Sequence, residues 1–185
     1  MVSEHACELL LMECLADDEA CRLLLPAGFA DWRDAASRLR RLGADPTART
    51  ALARILPHLL LTLSNVAGPD RVLVNLERFA QSTSHQATWQ YLADQPRALE
   101  ILVTLFAGSQ FLTEILLRHP EYLARLVERK RLSHPRSHDQ IIAEARGIIA
   151  AHATTADQLD ALRRYQRWEL LRIGACDLLD LFDLP

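Results

Sequence analysis

The stretch LRRYQRWELLRIGACDLLDLFDLP, residues Leu162–Pro185, has the most distinctive pattern in this sequence. On an α-helix its apolar residues would share one face, because positions three and four apart are neighbours. The resulting stripe consists of Leu162, Tyr165, Trp168, Leu171, Ala175, Leu178 and Phe182. This pattern predicts a long amphipathic helix whose apolar face packs against a core.

Charged residues occupy other faces of this predicted helix, and five of them are candidates for contact with a domain or partner. They are Arg163, Arg164, Arg167, Glu169 and Arg172. The spacing lets Glu169 pair with Arg172, three residues later. The arginines can form a solvated face, or a platform for an acidic partner, a phosphate or an adjoining domain, since guanidinium groups bind carboxylate and phosphate bidentately. Spacing alone leaves both interpretations open.

The rest of the sequence has the start and stop signals of short helices. Ser3, Asp31 and Ser109 can accept hydrogen bonds from the first turn of a helix, and Thr155 can cap the final one. No stretch alternates with the period of a β-strand. These signals predict an all-α fold, an array of about nine or ten short helices packed pairwise and ending in the long amphipathic helix. Residues 1–185 form a single helical domain in this interpretation.

Two local features lead to further expectations. Pro57 lies inside a predicted helix and is expected to kink or split it, because proline lacks the backbone N–H donor. Cys7, Cys14 and Cys21 recur every seven residues. On a continuous helix they are too far apart to bind one metal ion or to form disulfides, so they are predicted to be a row of small buried side chains.

Composition and charge exclude several classes of partner. The chain has 185 residues, of which 50% are hydrophobic, and a formal net charge of −3. Such a chain has no overall positive field to attract nucleic acid. No apolar run approaches the roughly 20 residues that cross a bilayer, and no secretory signal pattern opens the sequence. We therefore expect a cytoplasmic protein that binds neither membrane nor nucleic acid.

The sequence also lacks recognisable catalytic motifs. It contains no Gly-rich phosphate-binding loop and no His-Glu-x-x-His pattern. It contains no Asp-x-Asp pair to hold two metal ions for nucleotidyl transfer. No catalytic, cofactor-binding or metal-ligating residue is therefore predicted, although a site assembled from distant residues remains an open alternative.

The final helix resembles a segment of the bifunctional glutamine synthetase adenylyltransferase/deadenylase family. That family has a Leu-Arg-Arg-Phe-x-Arg-x-Glu-x-Leu-Arg-Ile pattern followed by Asp-Leu-Leu. The matching residues here are Leu162, Arg163, Arg164, Tyr165, Arg167, Glu169, Leu171, Arg172, Ile173, Asp177, Leu178 and Leu179. AGFADW, LARILPHLLLTL, PDRVLVNLERF and GSQFLTEILLRHPEYLARLV also resemble family segments, in the same order, so the similarity runs from about Leu23 to Pro185.

The resemblance implies that this chain is the helical region preceding a nucleotidyltransferase domain. The family enzymes transfer AMP from ATP to a glutamine synthetase tyrosine or remove it. ATP and Mg²⁺ are then expected only in the missing catalytic domain, whose Gly-Ser-x-Asp-x-Asp motif has no counterpart here, and the chain alone is expected to be inactive. The implied partners are the adjoining nucleotidyltransferase domain, glutamine synthetase and a regulatory protein.

Two departures and one alternative accompany this interpretation. Tyr165 stands where the family usually has Phe, and Trp168 stands where it has a basic or polar residue. Trp168 can therefore pack within this domain or against the missing one. The alternative function is a free-standing helical module for protein interaction, because successive helix pairs can stack into a curved binding surface.

Overall fold

Side-chain caps begin several helices where the sequence predicts them. Ser3 and Ser109 each accept a hydrogen bond from a backbone N–H three residues later, and Asp31 accepts two from Arg33 and Asp34. These bonds satisfy donors that have no partner within the first helical turn. The last helix is capped by Thr154, one residue before the predicted Thr155.

The structure is a computed structural model that describes residues 3–83, 85–128 and 136–181, with the backbone alone at residues 85 and 86. Within these ranges it contains eleven α-helices, one 3₁₀ turn and no strand, so the predicted all-α class is confirmed. In chain order the helices are α1 (Glu4–Leu11), α2 (Asp17–Leu24), α3 (Trp32–Leu42), α4 (Pro46–Leu63), α5 (Pro69–Gln81), α6 (His85–Asp94), α7 (Pro96–Gly108), α8 (Gln110–Arg118), α9 (Tyr122–Val127), α10 (His138–Ala150) and α11 (Thr155–Leu178).

Helix α7 lies at the centre of the array. It packs against α4, α5, α6, α8, α9 and α11. Its apolar residues Leu99, Leu102 and Phe106 are almost fully buried, and the Phe106 ring lies 6.2 Å from the ring of Phe79. Helix α10 differs, since it packs mainly against α11 and has no fully buried residue. No helix in the described ranges combines the length and apolar character needed to traverse a bilayer.

Of the two effects expected of Pro57, a kink or a split, the split is wrong, because α4 runs without interruption from Pro46 to Leu63, and the kink stays a prediction. Leu56, Leu59 and Leu60, which surround the proline, are buried. Burial of such side chains stabilises the helix by roughly 1.5–3 kcal/mol each, which outweighs the loss of one backbone hydrogen bond. Tertiary packing therefore overrides the local effect of the proline.

The expectation of three buried cysteines in a row is also wrong. Helix α1 ends at Leu11, Glu13 takes a positive φ of 59°, and α2 begins at Asp17. Because of this break the cysteines do not lie on one face of a continuous helix. Cys7 is buried, whereas Cys14 is exposed. The fourth cysteine, Cys176, is buried in α11.

This difference predicts selective thiol alkylation at about pH 8. Burial, together with the nearby charge of Glu4, raises the pKa of the Cys7 thiol to about 12. We expect Cys7 to react at least about 100-fold more slowly than Cys14, because the thiolate is the reactive form. Mass spectrometry of timed samples measures both rates, and in denaturant all four cysteines should react. Equal rates at the two cysteines in the folded chain would contradict the assigned break between α1 and α2.

Candidate functional site: helix α11 and its charged residues

The inner face of α11 is apolar, as its periodicity predicts. Trp168, Leu171 and Ala175 are buried, and Leu162 and Tyr165 are half-buried. This face contacts α7, α8, α9 and α10. The predicted amphipathic helix is thus confirmed over Thr155–Leu178, while Phe182 of the predicted stripe lies outside the described residues.

Trp168 packs within this chain. Its ring meets the Tyr122 ring edge-on, with 5.4 Å between the centroids. The Arg125 guanidinium lies 3.7 Å from the centroid of the Trp168 ring, a cation–π distance. The Tyr122 hydroxyl donates to the backbone carbonyl of Arg164 at 3.2 Å, so α9 is fixed to α11 at this point. A polar residue at position 168 would lose these contacts.

The five charged residues singled out in the sequence divide into two groups. Glu169 and Arg172 are buried, with relative exposures of 8% and 3%. The other three arginines of α11 are exposed. The first group therefore acts inside the chain, and only the second group presents charge at the surface.

The buried group forms a charge network with a residue from before α10. The Arg172 Nε and Nη2 atoms each lie 3.0 Å from Glu169 Oε2, which confirms the predicted pair. Arg136 Nη1 lies 3.0 Å from Glu169 Oε1 and also donates to Glu144 of α10. The Tyr165 hydroxyl donates to the same Glu144 carboxylate at 2.9 Å. Two guanidinium groups thus face two carboxylates, and the network joins α10 to α11.

Because this network is buried, each of its charged and polar groups needs a partner within the chain. Two N–H groups one turn apart, Trp168 Nε1 and Arg172 Nη1, are buried and have no acceptor in the described part of the chain. Burial, together with the hydrogen bond to Glu144, raises the pKa of the Tyr165 hydroxyl. Arg172 depends on Glu169 for its neutralising charge, because an unpaired buried charge is strongly unfavourable.

The exposed group forms the outer side of α11. Arg163 pairs with Asp160 at 2.9 Å, and both side chains are largely in solvent. No carboxylate within the described ranges lies within 4.0 Å of a nitrogen of Arg164 or Arg167. These guanidinium groups are therefore available to a partner. That they contact another domain stays a prediction.

Sequence reasoning missed Arg136 as a member of this site. It lies 33 residues from Glu169, in a segment that reads as an exposed loop, and no spacing rule links the two. Part of that segment, residues 131–135, lies outside the described residues. Within the described ranges, no three His, Cys, Asp or Glu side chains converge as metal ligands would.

A groove lies among the first helices of the chain. Helices α1, α2 and α4 enclose a groove of about 800 Å³ lined mostly by apolar side chains, including Leu9, Leu23 and Leu61. Arg22 and Glu19 also line it. The groove has the volume of a ligand site, and His5, His58 and Ser64 add further polar groups to its lining.

The fold and this site define an all-α protein whose most distinctive feature is a long arginine-bearing helix fixed to the core by a buried charge network. A family model described as glutamate-ammonia ligase adenylyltransferase matches residues 99–185, which begin within α7 and include α8 to α11. The chain is similar to this family, and the resemblance predicted from the sequence is confirmed.

Relatives in three bacteria extend the similarity over most of the chain, and each is named bifunctional glutamine synthetase adenylyltransferase/adenylyl-removing enzyme. The relative from Leifsonia xyli subsp. xyli is 30% identical over 167 residues, which cover 89% of this chain and 16% of the relative. The relative from Thioalkalivibrio sulfidiphilus is 27% identical over 90% of this chain and 18% of its own length. The relative from Idiomarina loihiensis is 28% identical over 98% of this chain and 20% of its own length.

The chain therefore spans about a sixth to a fifth of the length of these relatives. It corresponds to a part of such an enzyme. No solved structure matches it.

Proposed function

We propose that this chain is a single helical domain that positions the nucleotidyltransferase unit of an adenylyltransferase without itself being catalytic. The whole enzyme would transfer AMP from ATP to a glutamine synthetase tyrosine, or remove it. The difference between the inner and outer faces of α11 supports this proposal. Its inner face is fixed by the Arg136–Glu169–Arg172 network, and its outer face presents Arg164 and Arg167, which lack carboxylate partners in the described part of the chain.

In this proposal ATP and Mg²⁺ bind to the nucleotidyltransferase unit and not to the helical domain. The support is the family resemblance, in which the metal-binding acids belong to a Gly-Ser-x-Asp-x-Asp motif that this sequence lacks. Glutamine synthetase and a regulatory protein are partners of the whole enzyme. The helical domain would transmit regulatory signals to the catalytic unit through α11.

We also propose that the protein is located in the cytoplasm. None of the four cysteines, all of which lie in the described residues, forms a disulfide, and disulfides are rare in the reducing cytosol.

An AMP-transfer assay with glutamine synthetase and labelled ATP tests this function. Four samples are compared: this chain alone, the Leifsonia xyli relative, that relative without its matched segment, and a chimera in which this chain replaces the segment. We expect no transfer and no ATP-Mg²⁺ binding by the chain alone. The relative without the segment should lose roughly 100-fold in rate, because misplaced catalytic groups cost about that much. The chimera should recover activity.

Two results would contradict the proposal separately. Turnover by the purified chain alone would show that it is catalytic. Full activity of the relative without its matched segment would show that positioning by this region is not required.

A free-standing interaction module is the second candidate function, and the groove between α1, α2 and α4 favours it. In that case a protein partner would bind this chain in the absence of any nucleotidyltransferase unit. Substitution of Leu61, an exposed residue of the groove, would weaken that binding.

A further inference from the structure

Three large apolar side chains stand in solvent where α8 crosses α11. Phe111 is 61% exposed, Leu170 is 41% exposed and Ile173 is 49% exposed. Single exposed apolar residues are common on protein surfaces, but a group of large ones at one place often marks an interaction site.

Close packing between small and large residues brings the two helices together. The Leu112 side chain of α8 lies against Gly174 of α11, so closely that a Cβ atom at Gly174 would be 2.6 Å from Leu112 Cδ1. Phe111 precedes Leu112, and Ile173 precedes Gly174. Phe111 and Ile173 are thus each one residue away from the two residues in contact.

The apolar residues and the arginines share one side of α11. Arg163, Arg167, Leu170 and Gly174 are spaced by four, three and four residues, which places them along one helical ridge. Ile173 lies three residues after Leu170 and therefore next to this ridge. An apolar area at the crossing thus continues directly into a row of positive charge.

The charges on this ridge are incompletely balanced. Asp160 pairs with Arg163, whereas Arg167 has no carboxylate within ion-pair distance among residues 3–83, 85–128 and 136–181. Arginine and aromatic residues are enriched in protein–protein interfaces, where guanidinium groups pair with carboxylates of the partner. The arrangement is complementary to an apolar protein surface with acidic residues along one border.

We propose that the outer side of the α8–α11 crossing, defined by Phe111, Arg163, Arg167, Leu170 and Ile173, is the surface that binds the nucleotidyltransferase unit. We name it the crossing surface. The region of that unit that it contacts has an apolar centre and carboxylates along one edge. This inference rests on the proposed function and specifies the contact through which the positioning occurs.

Thiol accessibility in the chimera described above tests the proposal directly. Ile173→Cys and Phe111→Cys are introduced separately in a Cys14→Ser background, and alkylation rates are measured in this chain alone and in the chimera. We expect both cysteines to react at least about tenfold more slowly in the chimera, a factor that corresponds to about 1.4 kcal/mol. Leu61→Cys is the control, because Leu61 lies in the distant groove and is 65% exposed. This cysteine should react equally fast in both proteins.

Charge reversal tests the electrostatic part of the contact. Arg163→Glu with Arg167→Glu in the chimera should restore fast alkylation at Ile173→Cys, since it places like charges against the acidic border. Arg33→Glu is the matched control on α3, because that arginine is exposed and its contacts are a long ion pair of 3.9 Å with Asp17 and a cation–π contact with the neighbouring Trp32. It should leave the protection unchanged.

The outcomes separate this proposal from the proposed function. Equal alkylation rates in chain and chimera overturn the crossing surface, and an active chimera in the same experiment leaves the proposed function intact. Protection in an inactive chimera supports the surface and contradicts the function. Protection that appears in the isolated chain and grows with its concentration assigns the surface to a second copy, and it also overturns the proposal.

Discussion

Replacing Glu169 by alanine is expected to lower the free energy of unfolding by about 3–5 kcal/mol, because it leaves a buried guanidinium without its counter-charge. Arg172 is almost fully buried, and its Nη1 atom already has no acceptor in the described part of the chain. Arg136 loses the same carboxylate. Chemical denaturation followed by circular dichroism measures the change.

The matched control for this prediction is Asp160→Ala, which removes an exposed partner of Arg163 on the same helix. Exposed pairs contribute only about 0–1 kcal/mol, so this variant should unfold almost like the original chain. Combining Glu169→Ala with Arg172→Met should recover roughly half of the lost stability or more, since an apolar side chain replaces the unpaired charge. A Glu169→Ala loss no larger than that of the control would contradict the role assigned to the network.

Replacing Phe106 by alanine is expected to destabilise the chain by about 3–5 kcal/mol. Phe106 lies on α7, the helix with the most neighbours, and its ring packs 6.2 Å from that of Phe79. The substitution removes the buried ring and leaves a cavity that helices on several sides cannot all close. Thermal and chemical unfolding both report the change.

Phe111→Ala provides the matched control, because the same residue type is mostly in solvent one helix later. Its unfolding free energy should change by no more than about 0.5 kcal/mol. Similar losses in both variants would contradict the placement of α7 at the centre of the core. The same Phe111 variant should retain its fold even where it weakens binding through the crossing surface.

Local signals in the sequence were sufficient to predict the class of fold and much of the inner face of α11. Ser3, Asp31 and Ser109 cap helices as predicted, because capping depends on residues within one turn. Trp168 and Leu171 are buried as predicted, because helical periodicity determines which residues share a face. Such features need no knowledge of the tertiary contacts.

Features that depend on distant contacts were not predictable in this way. The uninterrupted path of α4 through Pro57 reflects burial against other helices, which proline propensity does not include. The contact between Arg136 and Glu169 joins two elements that no sequence pattern relates. The sequence predicted the Glu169–Arg172 pair from its spacing, but not that burial would remove both residues from the surface.

The limited burial of α10 affects the order in which parts of the chain unfold. Because no side chain of α10 is fully buried, its detachment exposes much less apolar surface than opening the layers around α7. Its attachment to α11 combines half-buried apolar contacts with the hydrogen bonds that Glu144 accepts from Arg136 and from the Tyr165 hydroxyl. We expect sub-global opening, in which α10 separates as a unit of low local stability while the core stays closed. The chain would then consist of a rigid core and one helix whose coupling to α11 can change while the core stays folded.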